Sequence, residues 1–271
     1  MTQRIALVTG ASSGIGKATA KLFAENGFYV FVIARRMDRL TQIRSDHIEP
    51  IQLDVTNAEA INNLVDHIIS TKGRIDVLVN NAGYGLLGAI ECVAMEAAHH
   101  QFEVNIFGYA RMMHAVIPHM RMQKSGCIIN ISSILGSIAI PGFGWYAASK
   151  HAVEALSEAL RGEVKEFGID VVVIAPGLIK TEFAAIQFEL LKNIAHPPVY
   201  QKLIDGLHLL LAGEPKAPGP EIIAKAVLKA ADKSIPPIRH ALPWDSKTAV
   251  ISRWLLGNRL FSWIIRRQMK I

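Results

Sequence analysis

The stretch Ile5-Ala6-Leu7-Val8-Thr9-Gly10-Ala11-Ser12-Ser13-Gly14-Ile15-Gly16 decides the fold. Its first five residues are apolar or β-branched and do not alternate with polar ones, as in a strand buried on both faces. The run empties into a turn with glycine at 10, 14 and 16, and a helical pattern begins there. Glycines let the backbone turn sharply and approach a pyrophosphate, and the helix N-terminus offers free N–H groups and a positive dipole end. Gly10, Ser12, Ser13, Gly14, Ile15 and Gly16 are therefore candidate cofactor-binding residues. The spacing is Gly-x-x-x-Gly-x-Gly, not Gly-x-Gly-x-x-Gly, and taken alone the turn also reads as an ordinary strand–helix connection.

The same alternation continues along the chain. Further strand-like runs are Tyr29–Ala34, Ile51–Val55, Val77–Asn80, Cys127–Ile131 and Val171–Ala175. Between them lie amphipathic stretches near Lys17–Asn26, Ala58–Thr71, Ala98–Met122 and Ala147–Phe167. Gly27, Gly73 and Gly168 follow three of these, where helices often end. The pattern predicts an α/β, doubly wound parallel sheet of Rossmann type with helices on both faces, in a single domain over 1–271. Residues 182–220 loosen into short apolar helical pieces and several prolines, a candidate substrate-loop region. A helix over Pro220–Asp232 and a last strand over Ile238–Leu242 follow. Residues 246–271 form a C-terminal amphipathic extension, with Ile251, Trp254, Leu255, Phe261, Ile264 and Ile265 at helical spacing and arginines opposite.

Composition narrows the class. The chain has 271 residues, 51% hydrophobic and 19% charged, which describes a compact protein able to build a full core. Its net charge of +6 is spread as scattered Lys and Arg, apart from Arg35-Arg36 and the tail Arg266-Arg267 with Lys270, so nucleic acid is not an expected partner. Cys92 and Cys127 suggest neither a disulfide framework nor a zinc site. The start of the chain has no signal-peptide pattern and no run is long enough to span a bilayer, so a cytoplasmic location is expected. No metal site is expected either: His99-His100 and His114 with His119 lack the i, i+3 or i, i+4 spacing of helical ligands.

Five motifs in order make the chain resemble the short-chain dehydrogenase/reductase superfamily over about residues 3–182. They are the glycine segment, Leu53-Asp54-Val55, Asn80-Asn81-Ala82-Gly83, Tyr146-Ala-Ala-Ser-Lys150, and Pro176-Gly177 with Thr181. The resemblance implies a nicotinamide cofactor held also by Asp54, Val55, Asn81, Ala82, Gly83, Tyr146, Lys150, Pro176, Gly177, Ile179 and Thr181. Asp54 reads equally as a turn residue. Nineteen residues after Gly16 the second strand ends in Ala34-Arg35-Arg36, where an NAD enzyme of this build carries an acid. Arg35 and Arg36 can clamp a 2′-phosphate, so NADP(H) is expected over NAD(H), unless they are exposed loop arginines.

The catalytic expectation rests on Asn105, Ser133, Tyr146 and Lys150. Tyr146 and Lys150, four apart on a helix, share a face. A phenol titrates near 10, and a nearby ammonium, with the positively charged nicotinamide of the oxidised complex, is expected to bring the phenolate toward working pH. Ser133, thirteen residues upstream, is expected to hold the substrate oxygen, with Ser132 its neighbouring rival. By resemblance, Asn105 kinks its helix and helps hold a water in a relay through Lys150.

The implied activity is hydride transfer between nicotinamide and a carbonyl/alcohol pair, with Tyr146 as acid/base. Leu135, Phe143, Leu178 and Phe183, with Ser133 and Tyr146, are candidate substrate residues. The apolar ones read equally as core packing; if they line the pocket, the substrate is an apolar steroid-, retinoid- or lipid-like molecule, and the chain is loosely similar to the 17β-hydroxysteroid-dehydrogenase-like branch. A 3-oxoacyl-carrier-protein reductase is the near alternative, and an NADP(H)-binding sensor or scaffold without turnover is the alternative of another class. By family habit a homodimer or homotetramer is expected, while the basic tail leaves peripheral membrane contact as the other reading of that segment.

Overall fold

The computed structural model describes residues 3–212, 216–233 and 235–271. In chain order the elements are β1 Ile5–Thr9, α1 Gly14–Glu25, β2 Tyr29–Ala34, α2 Met37–Thr41, β3 Ile48–Gln52, α3 Ala58–Lys72 and β4 Val77–Asn80. Then come α4 Met95–Phe102, α5 Gly108–Gln123, β5 Gly126–Ile131, α6 Gly144–Val164 and β6 Ile169–Pro176. The chain closes with α7 Glu182–Lys192, α8 Gln201–Leu211, α9 Glu221–Asp232, β7 Arg239–Leu242 and α10 Trp244–Met269.

The strands form one parallel sheet in the order β3-β2-β1-β4-β5-β6-β7. This is the doubly wound arrangement expected from the continuous apolar runs. On one face Phe23, Leu40, Ile223 and Val227 from α1, α2 and α9 cover the strands. On the other, Ile61, Val65, Met112, Val116 and Val153 from α3, α5 and α6 do so. Strand order reverses between β1 and β4, which opens a crevice at the carboxyl ends of those strands. The glycine turn after β1 and the Asn81 segment after β4 both lie there.

Several expected boundaries shift. The third strand lies at Ile48–Gln52, not Ile51–Val55, because it pairs only with β2, from Val30 opposite Ile48 to Ala34 opposite Gln52. Leu53 and Val55 are buried in the core on the α3 side, which is why that segment reads as strand-like. The helix expected over Ala98–Met122 is interrupted by a π-helical turn at Glu103–Phe107. The loosened region 182–220 contains two full helices, α7 and α8. Gly73 and Gly168 sit in left-handed conformations at helix ends, as their positions in the sequence suggested.

The elements after β6 close over one end of the sheet. Leu191, Leu207, Phe261 and Met269 from α7, α8 and α10 pack in one cluster with Leu135, Phe143 and Tyr146. Helix α10 is broken at Gly257, whose φ of 66° and ψ of 177° lie outside helical space.

Candidate active site

The glycine turn is built by contacts that leave no room for side chains. A Cβ on Gly10 would sit 2.8 Å from the Ala82 Cα, and one on Gly16 would sit 2.6 Å from the Gly10 carbonyl oxygen. The turn is fastened from β4: the Thr9 hydroxyl accepts from the Asn81 and Ala82 amides at 2.8 and 2.9 Å. The Asn81 side chain donates to the carbonyls of Thr9 and Gly10 at 3.0 and 3.2 Å. Asn81 thus acts through its side chain on the shape of the turn.

This turn fits a dinucleotide phosphate. Ser13, the N-cap of α1, makes no capping hydrogen bond with its side chain, and the first helical turn holds no acid. The opening amides of α1 are left to an outside anion. A cleft of about 350 Å³ borders them, lined by Ser12, Ser13, Lys17, Arg39, Gln42 and Glu182. The two arginines that end β2 part company here. Arg36 donates through Nη2 to the hydroxyls of Ser12 and Ser13 at 3.0 and 3.3 Å. Arg35 is exposed, and its charge acts on Tyr84, whose pKa is raised by burial and partly offset by Arg35. Arg39, which sequence reasoning missed, joins Arg36 on Glu182.

Other expected cofactor residues have visible structural roles. The Asp54 carboxylate accepts from the Thr56 amide and hydroxyl, both at 2.9 Å, which is the turn role. Val55 is buried, and a Cβ on Gly108 would meet it at 2.8 Å. At the end of β6, Pro176 precedes Gly177, whose amide donates to the Leu242 carbonyl at 2.6 Å. Ile179 is buried, and Thr181 caps α7 by accepting from the Phe183 amide at 3.2 Å. Thr181 also faces Gly14: a Cβ there would lie 3.2 Å from its methyl.

Ser133, Tyr146, Lys150 and Asn105 come together at the carboxyl ends of β4 and β5, all buried. Ser133, rather than Ser132, acts on the Tyr146 phenol, favouring its charged form, while its own hydroxyl donates to the Pro176 carbonyl at 3.4 Å. Its hydroxyl also accepts from the Leu135 amide at 3.1 Å. The Ser132 hydroxyl is buried beneath Gly136 and has no hydrogen-bond partner among the described residues. One turn along α6 from Tyr146, Lys150 donates to the Ile131 carbonyl at 2.8 Å, with its nitrogen 5.9 Å from the Tyr146 ring centre. In the π turn, Asn105 donates to the Tyr84 carbonyl at 2.9 Å and to Ser149 at 3.1 Å, and accepts from the Tyr84 amide at 3.1 Å. A Cβ on Gly83 would lie 2.9 Å from the Asn105 oxygen and 3.9 Å from the Lys150 nitrogen, so these three residues meet at one point.

Burial dominates the electrostatics. Desolvation pushes the Tyr146 phenol up to about 12, against a hydrogen bond from Ser133 that favours the phenolate. Desolvation also pulls Lys150 down to about 7, with the Glu154 carboxylate working the other way. Burial is thus the largest influence on both groups. Within the protein alone, each charged form has lost too much hydration. Tyr146 is held in its neutral form.

The apolar wall is larger than the sequence suggested. The Phe183 ring packs on Tyr146 with centres 5.7 Å apart, and Leu135 and Phe143 are buried in the same cluster. Leu178 is 36% exposed and stands apart from it. Leu87, Leu191, Leu207 and Phe261 complete the wall. Sequence reasoning also missed Tyr109, fully buried one turn beyond Asn105, which donates to the same Ile131 carbonyl as Lys150 at 3.1 Å. A four-residue spacing from Asn105 was its only signal. Asn80 and Asn130 were hidden in strand runs: Asn80 donates to Asn130 at 2.9 Å, and Asn130 donates to Ser157 at 2.9 Å. This chain of buried polar groups ties β4 and β5 to α6 behind the site.

Comparison with known proteins points to one family. The family model described as short chain dehydrogenase matches residues 4–190. A 3-ketodihydrosphingosine reductase of Bacteroides thetaiotaomicron is 45% identical over 184 residues, covering 68% of this chain and 66% of that protein. The match thus spans just under two thirds of that relative. The crystal structure of a short-chain dehydrogenase from Streptomyces avermitilis superimposes with a TM-score of 0.84 at 34% identity, covering 94% of this chain and 93% of that one. A serine dehydrogenase in its closed form with NADP+ superimposes with a TM-score of 0.78 at 29% identity, covering 88% and 94%.

Proposed function

This chain belongs to the short-chain dehydrogenase family of oxidoreductases, and from that premise we propose that it interconverts an apolar, lipid-like ketone and its alcohol with NADP(H), Tyr146 serving as acid and base. The observation that carries the reading is the meeting of Ser133 and Tyr146 against a wall of Leu135, Phe143 and Phe183. The name of the Bacteroides relative, a reductase of a long-chain keto lipid, supports the same substrate class.

The residues divide the chemistry among them. When bound, the cofactor supplies the hydride that the carbonyl carbon accepts. Tyr146 delivers a proton from its phenol oxygen to the carbonyl oxygen as the C–O bond becomes single. Ser133 donates a hydrogen bond to that oxygen as negative charge builds on it. The Tyr146 phenolate left behind takes a proton by way of Lys150, which the Ile131 carbonyl holds in place. With its pKa raised to about 12, Tyr146 is protonated at neutral pH, which suits reduction better than oxidation.

Preference for the phosphorylated cofactor rests on Arg36. It already touches both serines of the turn, and no acid ends β2 to hold ribose hydroxyls instead. Arg39 and Lys17 add positive charge at the same cleft.

The test is oxidation of NADPH, with NADH in parallel, across ketones from small diketones to steroids, retinal, a long-chain keto lipid and an acetoacetyl thioester. Turnover of a bulky apolar ketone with NADPH is the expected result. Preference for the thioester would transfer the protein to fatty-acid synthesis. Binding of NADPH without turnover on any compound would overturn the reductase reading.

A further inference from the structure

Charge is distributed unevenly along the chain. After Asp245 come Lys247, Arg253, Arg259, Arg266, Arg267 and Lys270 with no further acidic residue. Those six charges equal the whole formal net charge of +6, so residues 1–245 are neutral overall. The protein's basicity is therefore a property of the residues after Asp245, most of which belong to α10.

The same helix leaves large apolar side chains in water. Trp254 is 83% exposed, Leu255 67% and Trp263 55%, with Ile251 and Leu260 close to half exposed. The break at Gly257 divides α10 into two segments. A hollow of about 910 Å³ is lined by Arg253 from the first and by Arg259, Trp263, Arg266 and Arg267 from the second. Among the described residues no carboxylate pairs with any of these four arginines. Arg253 and Arg267 lie over the rings of Phe261 and Trp263 at 5.8 and 5.4 Å. This is an arginine-lined hollow flanked by exposed tryptophan and leucine.

We propose that α10 docks the protein on an anionic phospholipid surface, the four arginines taking lipid phosphate headgroups while Trp254, Leu255 and Trp263 enter the interface between headgroups and acyl chains. Guanidinium groups match phosphate in charge and geometry, and tryptophan favours that interface. The helix lies on the bilayer: among the described residues no helix is long and apolar enough to cross one. A second copy of the chain fits this face less well. A two-fold contact through the part of α10 after Asp245 would set arginines against arginines, with no acid there to separate them.

Docking also orients the molecule. Phe261 and Met269 on the inner side of α10 belong to the cluster that walls Tyr146, so the bilayer lies next to the apolar end of the active site. On the proposed reading of the site, a lipid ketone would enter from the membrane. That orientation rests on the proposed function, whereas the docking itself does not.

The experiment is co-sedimentation of the full chain with vesicles of phosphatidylcholine, alone or with a third phosphatidylglycerol, over a range of salt. Binding to the anionic vesicles only is expected. Arg266→Glu with Arg267→Glu should weaken it at least about ten-fold. Trp254→Ser with Trp263→Ser should weaken it several-fold, and both variants should keep the wild-type melting temperature and NADPH affinity. Three results overturn the proposal. One is no sedimentation with anionic vesicles, with or without saturable binding of free glycerol phosphate. A second is sedimentation indifferent to the tryptophan pair. A third is a dimer in solution that the tryptophan pair dissolves. None of these readouts involves turnover, so failure of the reductase reading would leave a separate mark.

Discussion

Glu182, the first residue of α7, holds Arg39, the third residue of α2, with both carboxylate oxygens 2.5 Å from one guanidinium nitrogen. Arg36 reaches the same carboxylate at 3.5 Å. The hydrogen bond from Arg39 is the largest cause that keeps the Glu182 carboxyl below its ordinary range. An internal anion thus occupies the cations proposed to read a 2′-phosphate. Both side chains are more than a third exposed, so the pair adds little to stability. Its consequence is competition with an incoming phosphate. Glu182→Gln should tighten NADPH several-fold and leave NADH unchanged, measured as dissociation constants by fluorescence titration. Weaker NADPH binding in this variant would mean that Glu182 positions the arginines instead of opposing the phosphate.

Arg35 and Arg36 should separate in the same assay. Only Arg36 bonds to the turn, through Ser12 and Ser13. A hydrogen bond to a charged group contributes about 1.5–3 kcal/mol, or more than ten-fold in affinity. Arg36→Ala is expected to lose at least that factor for NADPH and little for NADH. Arg35→Ala should change both by less than about three-fold, as befits an exposed side chain that contacts neither serine. Equal losses from the two substitutions would show that both arginines clamp the phosphate.

These two residues also mark how far local sequence carries. The Gly10–Gly16 turn and the Tyr146/Lys150 pair are legible because their chemistry depends on neighbours within one turn of chain. Ser133 is placed by resemblance, since its spacing from Tyr146 matches that of the family. Glu182 meets Arg39 across 143 residues, and no local pattern reports such a contact. Leu53 and Val55 are apolar because they pack beneath α3, which mimics a strand and moves the expected β3 by three residues. Asn130 interrupts an apolar run without breaking it, since its polar atoms are satisfied by Asn80 and Ser157 inside the core. The lowered Lys150 and raised Tyr146 are illegible for another reason: burial is a property of the folded whole.

Tyr146→Phe separates chemistry from architecture. The ring keeps its contact with Phe183 and its place in the apolar cluster, so melting temperature and NADPH affinity should stay near wild type. Loss of the proton donor should lower kcat by about 10²–10⁴-fold. Ser133→Ala should cost less, about 10²-fold, because it removes one hydrogen-bond donor to the developing oxyanion. A Tyr146→Phe enzyme with wild-type kcat would end the acid/base assignment.

The charge state of Lys150 can be read from stability. Its pKa falls from 10.5 in the unfolded chain to about 7 in the fold. Below pH 7 both states hold the proton, and folding bears the full cost of burying an ammonium. Between pH 7 and 10.5 the unfolded chain holds more proton than the folded one, so stability rises with pH, by up to about 1.4 kcal/mol per unit. Tyr146, raised from 10.0 to about 12, acts in a later window with the opposite sign: its contribution is complete below pH 10 and is lost as pH climbs toward 12. Cys127, also raised to about 12 by burial, contributes equally to wild type and to a Lys150→Met variant. The difference in urea unfolding free energy, wild type minus Lys150→Met, should therefore climb steadily from pH 7 to 9.5. A difference that stays flat across that range would mean that Lys150 keeps its charge in the folded protein, and with it the power to draw the Tyr146 proton.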